Sequence, residues 1–326
     1  MRKVFLLSCL FGFIGFAQKT AADYAKTITE QELQELLYVY ASDYFAGRET
    51  GTKGQKIAVD FLREYYINQN IAPAAGTQNY FQPMEFRIRG GKVATENVVA
   101  IIPGSEFPEE YLVISSHLDH IGIQKGEINN GADDDGSGTV SMLEMAEAFQ
   151  LAVADGNGPK RSIVFLHVSG EEKGLLGSRY YTDVEPLYPL EQTIANLNVD
   201  MIGRLDPKRD DKDPKYIYLI GSDKLSKELH DISEATNAAT VNLKLDYTYN
   251  DEEDPNRFYY RSDHYNFAKN NIPIIFYFNG THADYHQPGD TPDKINYDIL
   301  KLRTDLIFHT AWELANRENR LQVDQK

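Results

Sequence analysis

The sequence predicts a three-layer αβα sandwich built around a mixed, mostly parallel sheet. Short runs rich in β-branched and aromatic residues fall at 97–102, 111–116, 162–168, 194–199, 216–220 and 273–278. Helical patterns lie between several of them, at 138–153, 223–238 and 296–316. Strands that alternate with helices are joined by crossovers, which favour parallel pairing with helices on both faces. No internal repeat, low-complexity linker or change of composition interrupts this alternation, so residues 18–326 read as one domain.

Taken in order, residues 30–70 are helical. Leu33, Leu36 and Leu37 are spaced for one apolar face, and Ile57, Ala58, Phe61, Leu62 and Tyr65 mark a second face over 55–66. Between them, Gly47-Arg48-Glu49-Thr50-Gly51-Thr52-Lys53-Gly54 lacks the spacing and closing Gly-Lys-Ser/Thr of a phosphate loop. It reads as a turn opening a helix. Residues 79–102 predict an antiparallel hairpin at the start of the sheet. Residues 205–215 and 246–257 are charged, proline-bearing loops, and the second is placed at a cleft wall.

The 326-residue chain is 42% hydrophobic and 25% charged, which is ordinary for a globular protein with a full core. Its formal net charge of −16 argues against nucleic acid or anionic membrane as a partner, because like charges repel. At the start, Met1-Arg2-Lys3 is basic, residues 4–16 are mostly apolar, and Ala17 precedes polar Gln18-Lys19-Thr20. This is the pattern of a signal peptide over 1–17, too short to span a bilayer. The expected product is an exported protein, periplasmic or extracellular, with no stable membrane association after cleavage. Cys9 is the only cysteine and leaves with that leader, so thiol and disulfide chemistry are excluded from the mature chain.

Ligands of open α/β sheets sit at the carboxyl ends of the strands. Those ends here read His117-Leu118-Asp119, then Gly170-Glu171-Glu172, then Asp200, with Tyr285-His286 after the last strand. Gly131-Ala132-Asp133-Asp134-Asp135-Gly136-Ser137-Gly138 precedes a helix between the first two. Imidazole nitrogen and carboxylate oxygen suit zinc at about 2.0–2.2 Å. Two metals about 3.5–4 Å apart need a carboxylate between them. His117, Asp134, Glu172, Asp200 and His286 supply one histidine and one terminal carboxylate per metal with a shared aspartate. Asp119, two residues from His117 on extended chain, faces the same side and is expected to accept the other ring N–H. Adjacent Glu171 and Glu172 point apart, so one can bind metal while the other takes a proton.

Together, Ser115-Ser116-His117-Leu118-Asp119-His120, the 131–138 segment, Glu171-Glu172-Lys173-Gly174-Leu175-Leu176-Gly177-Ser178, Asn198-Val199-Asp200-Met201-Ile202-Gly203 and Tyr285-His286-Gln287-Pro288-Gly289-Asp290-Thr291 resemble family 28 of the metallopeptidases. This is the group of bacterial two-zinc leucyl-type aminopeptidases. The likeness covers nearly all of the mature chain, including Ser262-Asp263-His264. It implies the zinc-exopeptidase fold, two Zn2+ per chain, and peptide or protein substrates with a free N-terminus. It further implies that His117 and Asp200 bind one zinc, Glu172 and His286 the other, and that Asp134 bridges. Glu171 is then the general base, Asp119 orients His117, and Tyr285 donates to the oxyanion. A cis peptide between Asp134 and Asp135 is implied as well.

Other readings compete at several positions. A calcium loop across 133–135 fails, because Met142 falls where its bidentate glutamate belongs. His286 is preferred over His282 because Pro288, Gly289 and Asp290 follow it as in the family. Asp263 and His264 are expected to build a loop below the site. His120, His167, His230 and His309 are left as surface or core residues, and Tyr259, Tyr260 and Arg261 as either cleft wall or packing. No Gly-x-Ser-x-Gly elbow supports a serine mechanism. Three rivals remain: a single-zinc glutaminyl cyclase, which lacks the first histidine; a zinc-stabilised binding protein, which has no use for Glu171; and a dinuclear carboxypeptidase.

Overall fold

Nine strands form one sheet among the residues described, 19–88 and 91–325 of a computed structural model. The leader expected over 1–17 lies outside the described residues. In chain order come α1 (Ala21–Ala25), α2 (Glu30–Tyr40), α3 (Lys53–Asn68), β1 (Ala72–Pro73), β2 (Phe81–Ile88), β3 (Gly91–Ile102) and β4 (Phe107–His117). A small hairpin, β5 (Ile123–Gln124) and β6 (Glu127–Ile128), precedes α4 (Gly138–Ala154) and β7 (Arg161–Val168). Then follow α5 (Leu176–Arg179), β8 (Thr193–Val199), β9 (Tyr216–Ile220), α6 (Lys227–Ala239) and β10 (Lys244–Asp246). The chain closes with α7 (His264–Ala268), β11 (Ile274–Phe278) and α8 (Tyr297–Asn316).

The sheet runs β1-β3-β7-β4-β8-β11-β9-β10, with β2 paired to β3. Its centre, β7-β4-β8-β11, is parallel throughout, while β3 and β9 join it antiparallel. The expected 79–102 hairpin is the β2–β3 pair. Side chains alternate between two cores, as the period of a strand dictates. Leu112 and Ile114 enter the core under α2, α3, α4 and α8, whereas Tyr111 and Val113 enter the core on the other face with Tyr181 and Phe267. The three-layer architecture follows from that division.

Local signals set the helix starts. Thr29 caps α2, accepting from the Glu32 amide at 3.1 Å and donating its hydroxyl to the Glu32 carboxylate at 2.7 Å. The helix expected from 223 begins at Lys227 instead, because the Ser226 hydroxyl caps it by accepting from the Leu229 amide at 3.1 Å. The edge strand β10 sits where the sequence reads only as the start of a charged loop. No helix of the described residues is long and apolar enough to cross a membrane.

Parallel pairing aligns the carboxyl ends of the central strands. His117 stands opposite Val168, Ser115 opposite Asn198, and Val199 opposite Tyr277. The residues that follow each strand are therefore delivered to one rim.

Candidate metal centre

His117 is the last residue of β4, and its amide donates to Asp135 Oδ2 at 3.1 Å. The three consecutive aspartates divide their work. Asp133 Oδ1 accepts from the Gly203 amide at 2.7 Å, and Asp135 Oδ1 accepts from the Gly138 and Met201 amides at 3.0 and 3.1 Å. Asp290 receives the amides of Asp133 and Asp134 at 3.1 Å. With its neighbours used as staples, Asp134 alone turns its carboxylate to the rim. Two glycines permit this packing. Gly131 has φ +55°, and a Cβ there would meet the Asp134 carbonyl at 2.2 Å; a Cβ on Gly138 would meet the Val199 carbonyl at 2.3 Å. The Asp134–Asp135 peptide is cis.

Two donor sets meet at Asp134. In the first, His117 Nε2 lies 3.1 Å from Asp134 Oδ1 and 3.5 Å from Asp200 Oδ1. In the second, His286 Nε2 lies 3.1 Å from Asp134 Oδ2 and 3.3 Å from Glu172 Oε2. Donor atoms sharing one tetrahedral zinc stand about 3.3–3.6 Å apart, given bonds of about 2.0–2.2 Å. The longer separation in each set, 3.5 and 3.3 Å, falls in that range, and the shorter, 3.1 Å, lies just below it. The five sequence-predicted donors therefore converge, and His282 does not join them: its Nε2 lies 3.2 Å from Asp133 Oδ2.

His120 does join them. Left above as a surface or core residue, it is fully buried, with Nδ1 2.8 Å from Glu172 Oε1 and 3.6 Å from Asp134 Oδ2. His120, Asp134 and Glu172 form a compact triad, as do His117, Asp134 and Asp200. The available signal was the spacing His117-Leu118-Asp119-His120: where the chain leaves the strand, residue 120 returns to the rim instead of continuing outward.

The role expected of Asp119 is corrected in its atoms. His117 Nδ1 bonds the backbone carbonyl of Asp119 at 3.0 Å, not the carboxylate. The carboxylate accepts from the Gly170 and Glu171 amides at 2.8 and 3.2 Å and from the Thr50 hydroxyl at 2.6 Å. It thus fixes the turn that carries Glu171 and Glu172. Other supports escaped sequence reasoning because they act across long separations. Ser262 donates to Asp200 Oδ2 at 2.6 Å and receives Asn198 Nδ2 at 2.9 Å. Buried Arg48 donates to the carbonyls of Leu118, Asn130 and Gly131, tying both histidine-bearing and aspartate-bearing segments together.

The charges interlock. Burial alone would depress the His117 imidazole, but Asp200 and Asp134 hold it well above its usual range. Burial and the Asp134 charge push Glu172 up, yet the imidazoles of His120 and His286 outweigh them and hold it at about 2. His286 rises to about 10 against burial, through Asp134 and Glu172. Glu171 is pushed well above the carboxylate range, first by burial and then by Glu172, Asp263 and Asp200, against the pull of His117.

This donor set fits zinc. Among the described residues, Asp134 Oδ2, Glu172 Oε1 and both His120 nitrogens are buried without a hydrogen-bond partner of acceptable geometry. Three of these atoms cluster, His120 Nδ1 lying 2.8 Å from Glu172 Oε1 and 3.6 Å from Asp134 Oδ2, as donors to one cation would. Carboxylates that hold protons on imidazoles hold divalent cations equally well, releasing the protons as the metal enters.

A profile of peptidase family M28 matches residues 97–311, which contain every one of these donors. The chain belongs to peptidase family M28. Among its relatives is a probable zinc metalloprotease of Pyrenophora teres, 27% identical over 82% of this chain and 62% of that protein. The chain thus spans less than two thirds of that relative's length. A Legionella pneumophila LapA aminopeptidase shares the fold with TM-score 0.70, at 20% identity, over 98% of this chain and 80% of that one. A Porphyromonas gingivalis glutaminyl cyclase shares it with TM-score 0.68, at 18% identity, over 87% and 97%. The family and the three-layer fold expected from the motifs are both borne out.

Proposed function

We propose that this M28 protein is an exported two-zinc aminopeptidase that removes single residues from peptides with a free N-terminus. The observation that carries this reading is the pair of donor sets sharing Asp134. His117 and Asp200 would hold one zinc, His286 and Glu172 the other with His120 beside them, and Asp134 would be shared by both. Zinc held there supplies a Lewis acid that polarises the scissile carbonyl and makes water acidic.

Glu171 lines the same cleft as His117, Asp134 and Asp200. Outside both donor sets yet on the cleft wall, its carboxylate would take a proton from the attacking water and deliver it to the leaving amine nitrogen, as general acid–base catalysis requires. Burial and nearby carboxylates keep the Tyr285 phenol protonated, so its hydroxyl can donate to a developing oxyanion. The surrounding carboxylates receive the substrate's α-ammonium. Met201, Phe258, Phe276 and Phe278 give the cleft an apolar wall suited to an apolar first residue.

The fold is also that of a glutaminyl cyclase, but the His117–Asp200 set would be superfluous in a single-zinc enzyme. A panel of aminoacyl p-nitroanilides, N-blocked peptides and a Gln-initiated peptide, run with zinc and with chelator, separates the readings. Chelator-sensitive release of unblocked first residues is expected. Loss of C-terminal residues from blocked peptides, or cyclisation without hydrolysis, would replace the aminopeptidase reading. Mass analysis of the secreted protein tests the cut after Ala17.

A further inference from the structure

The cleft is ringed by carboxylates, and the whole chain carries a net charge of −16. A cation on its wall without an acidic partner is therefore informative. Arg261 is such a cation. It lines the chamber that holds His117, Asp134 and Glu171, and it also borders the outer lobe that begins past Tyr285. Its side chain is exposed, and its guanidinium lies 4.9 Å from the centre of the Phe258 ring. Among the described residues no carboxylate stands within 4.0 Å of it. Its backbone is fixed from the next residues: Ser262 bonds Asp200 at 2.6 Å, and buried Asp263 receives the Ser178 hydroxyl. In the outer lobe Lys208 is a second base with no carboxylate partner among the described residues, its Nζ 3.3 Å from Thr281 Oγ1. Nearby Arg204 and Arg209, by contrast, are paired to Asp284 and Asp246 at 2.9 and 2.6 Å.

We propose that Arg261 binds a substrate carboxylate, so that the site prefers dipeptides with an apolar first residue and a free C-terminus. This rests on the aminopeptidase reading above. The inner chamber, with Phe276, Phe278 and Met201, takes the apolar side chain, while the acids around the metals take the α-ammonium. The carboxylate one residue past the scissile bond then meets a guanidinium whose planar fork matches it. An acidic first side chain offers the same chemistry from the other side of the bond, against an apolar wall that disfavours it.

The test compares kcat/KM of the zinc-loaded protein for Leu-Ala with Leu-Ala-amide, and for Glu-Ala-amide with Gln-Ala-amide. A preference of about tenfold for Leu-Ala over its amide is expected, carried in KM and shrinking as salt screens it. Arg261→Gln should abolish that ratio and Arg261→Lys restore part of it, with zinc content and melting midpoint confirming that both variants fold. A preference confined to the Glu/Gln pair, lost in Arg261→Gln, would retain the carboxylate site but overturn the dipeptide assignment. Equal rates in both pairs for the wild type, or a ratio that survives Arg261→Gln, overturns the role of Arg261 while leaving aminopeptidase action intact. Failure of the zinc-loaded wild type to cleave any of the four overturns the aminopeptidase reading and this inference with it.

Discussion

The two donor sets on either side of Asp134 are built differently. In the His117–Asp200 half, spare atoms are held by protein: His117 Nδ1 by the Asp119 carbonyl at 3.0 Å, and Asp200 Oδ2 by Ser262 at 2.6 Å. In the other half, donors are in surplus and partners scarce. Glu172 is bracketed by two imidazoles, Nδ1 of His120 at 2.8 Å and Nε2 of His286 at 3.3 Å, and among the described residues neither His120 nitrogen has a hydrogen-bond partner of acceptable geometry. The His286 side chain is 36% exposed and its residue adopts φ +55°. The first half is braced by protein atoms outside the donor set. The second is held by the mutual charge of its own residues, so its geometry should depend more on a bound cation.

The largest effect that sharpens this contrast is expected at Glu171, which lines the cleft beside the braced half. Glu171→Gln should lower kcat by about 100- to 10,000-fold while zinc per chain, measured by elemental analysis, stays at the wild-type level. Retained turnover would detach the chemistry from that half.

Next in size is the contrast itself. His120→Ala should weaken retention of one zinc by about 10- to 100-fold, read by titration against a competing chelator. Ser262→Ala should weaken the other by less, because Asp200 keeps both oxygens available. Equal losses would erase the distinction between the halves.

The smallest effect comes from a buried acid whose neighbours are other acids. Glu144 on α4 is raised to about 8 by burial and then by the charges of Glu32 and Glu147, whereas the imidazoles hold Glu172 at about 2. A carboxyl whose folded pKa exceeds its unfolded one binds protons more tightly when folded. Stability therefore falls as pH rises from about 4.5 toward 8. Glu144→Gln should melt about 1–3 °C above wild type at pH 8 and match it near pH 5, by calorimetry.

The five donors predicted from sequence were legible because each stands at a strand end or beside a glycine-rich turn, where local pattern and position coincide. His120 was harder to read: its place three residues after His117 is the one local signal, and a histidine so placed can equally be buried for packing. Ser262 and Arg48 were illegible for a related reason. Their partners, Asp200 and the carbonyls of Leu118 and Gly131, lie tens of residues away. Asp119 was read to the right neighbour but the wrong atom: extended-chain parity places two side chains on one face, and here the turn after β4 swings the carboxylate to the amides of Gly170 and Glu171.

By itself the sequence determined the alternation of strands and helices, the end of the chain segment at which each acid and imidazole would emerge, and the acidic net charge of −16. These follow from periodicity, glycine placement and charge, all local or summed quantities. Tertiary structure alone settled which histidine faces Asp133 and which Asp134, that His120 joins the rim, and that Arg261 has no acidic partner among the described residues. Each of those depends on distances between residues remote in the chain, which are set by sheet register and core packing and are written in no single stretch of it.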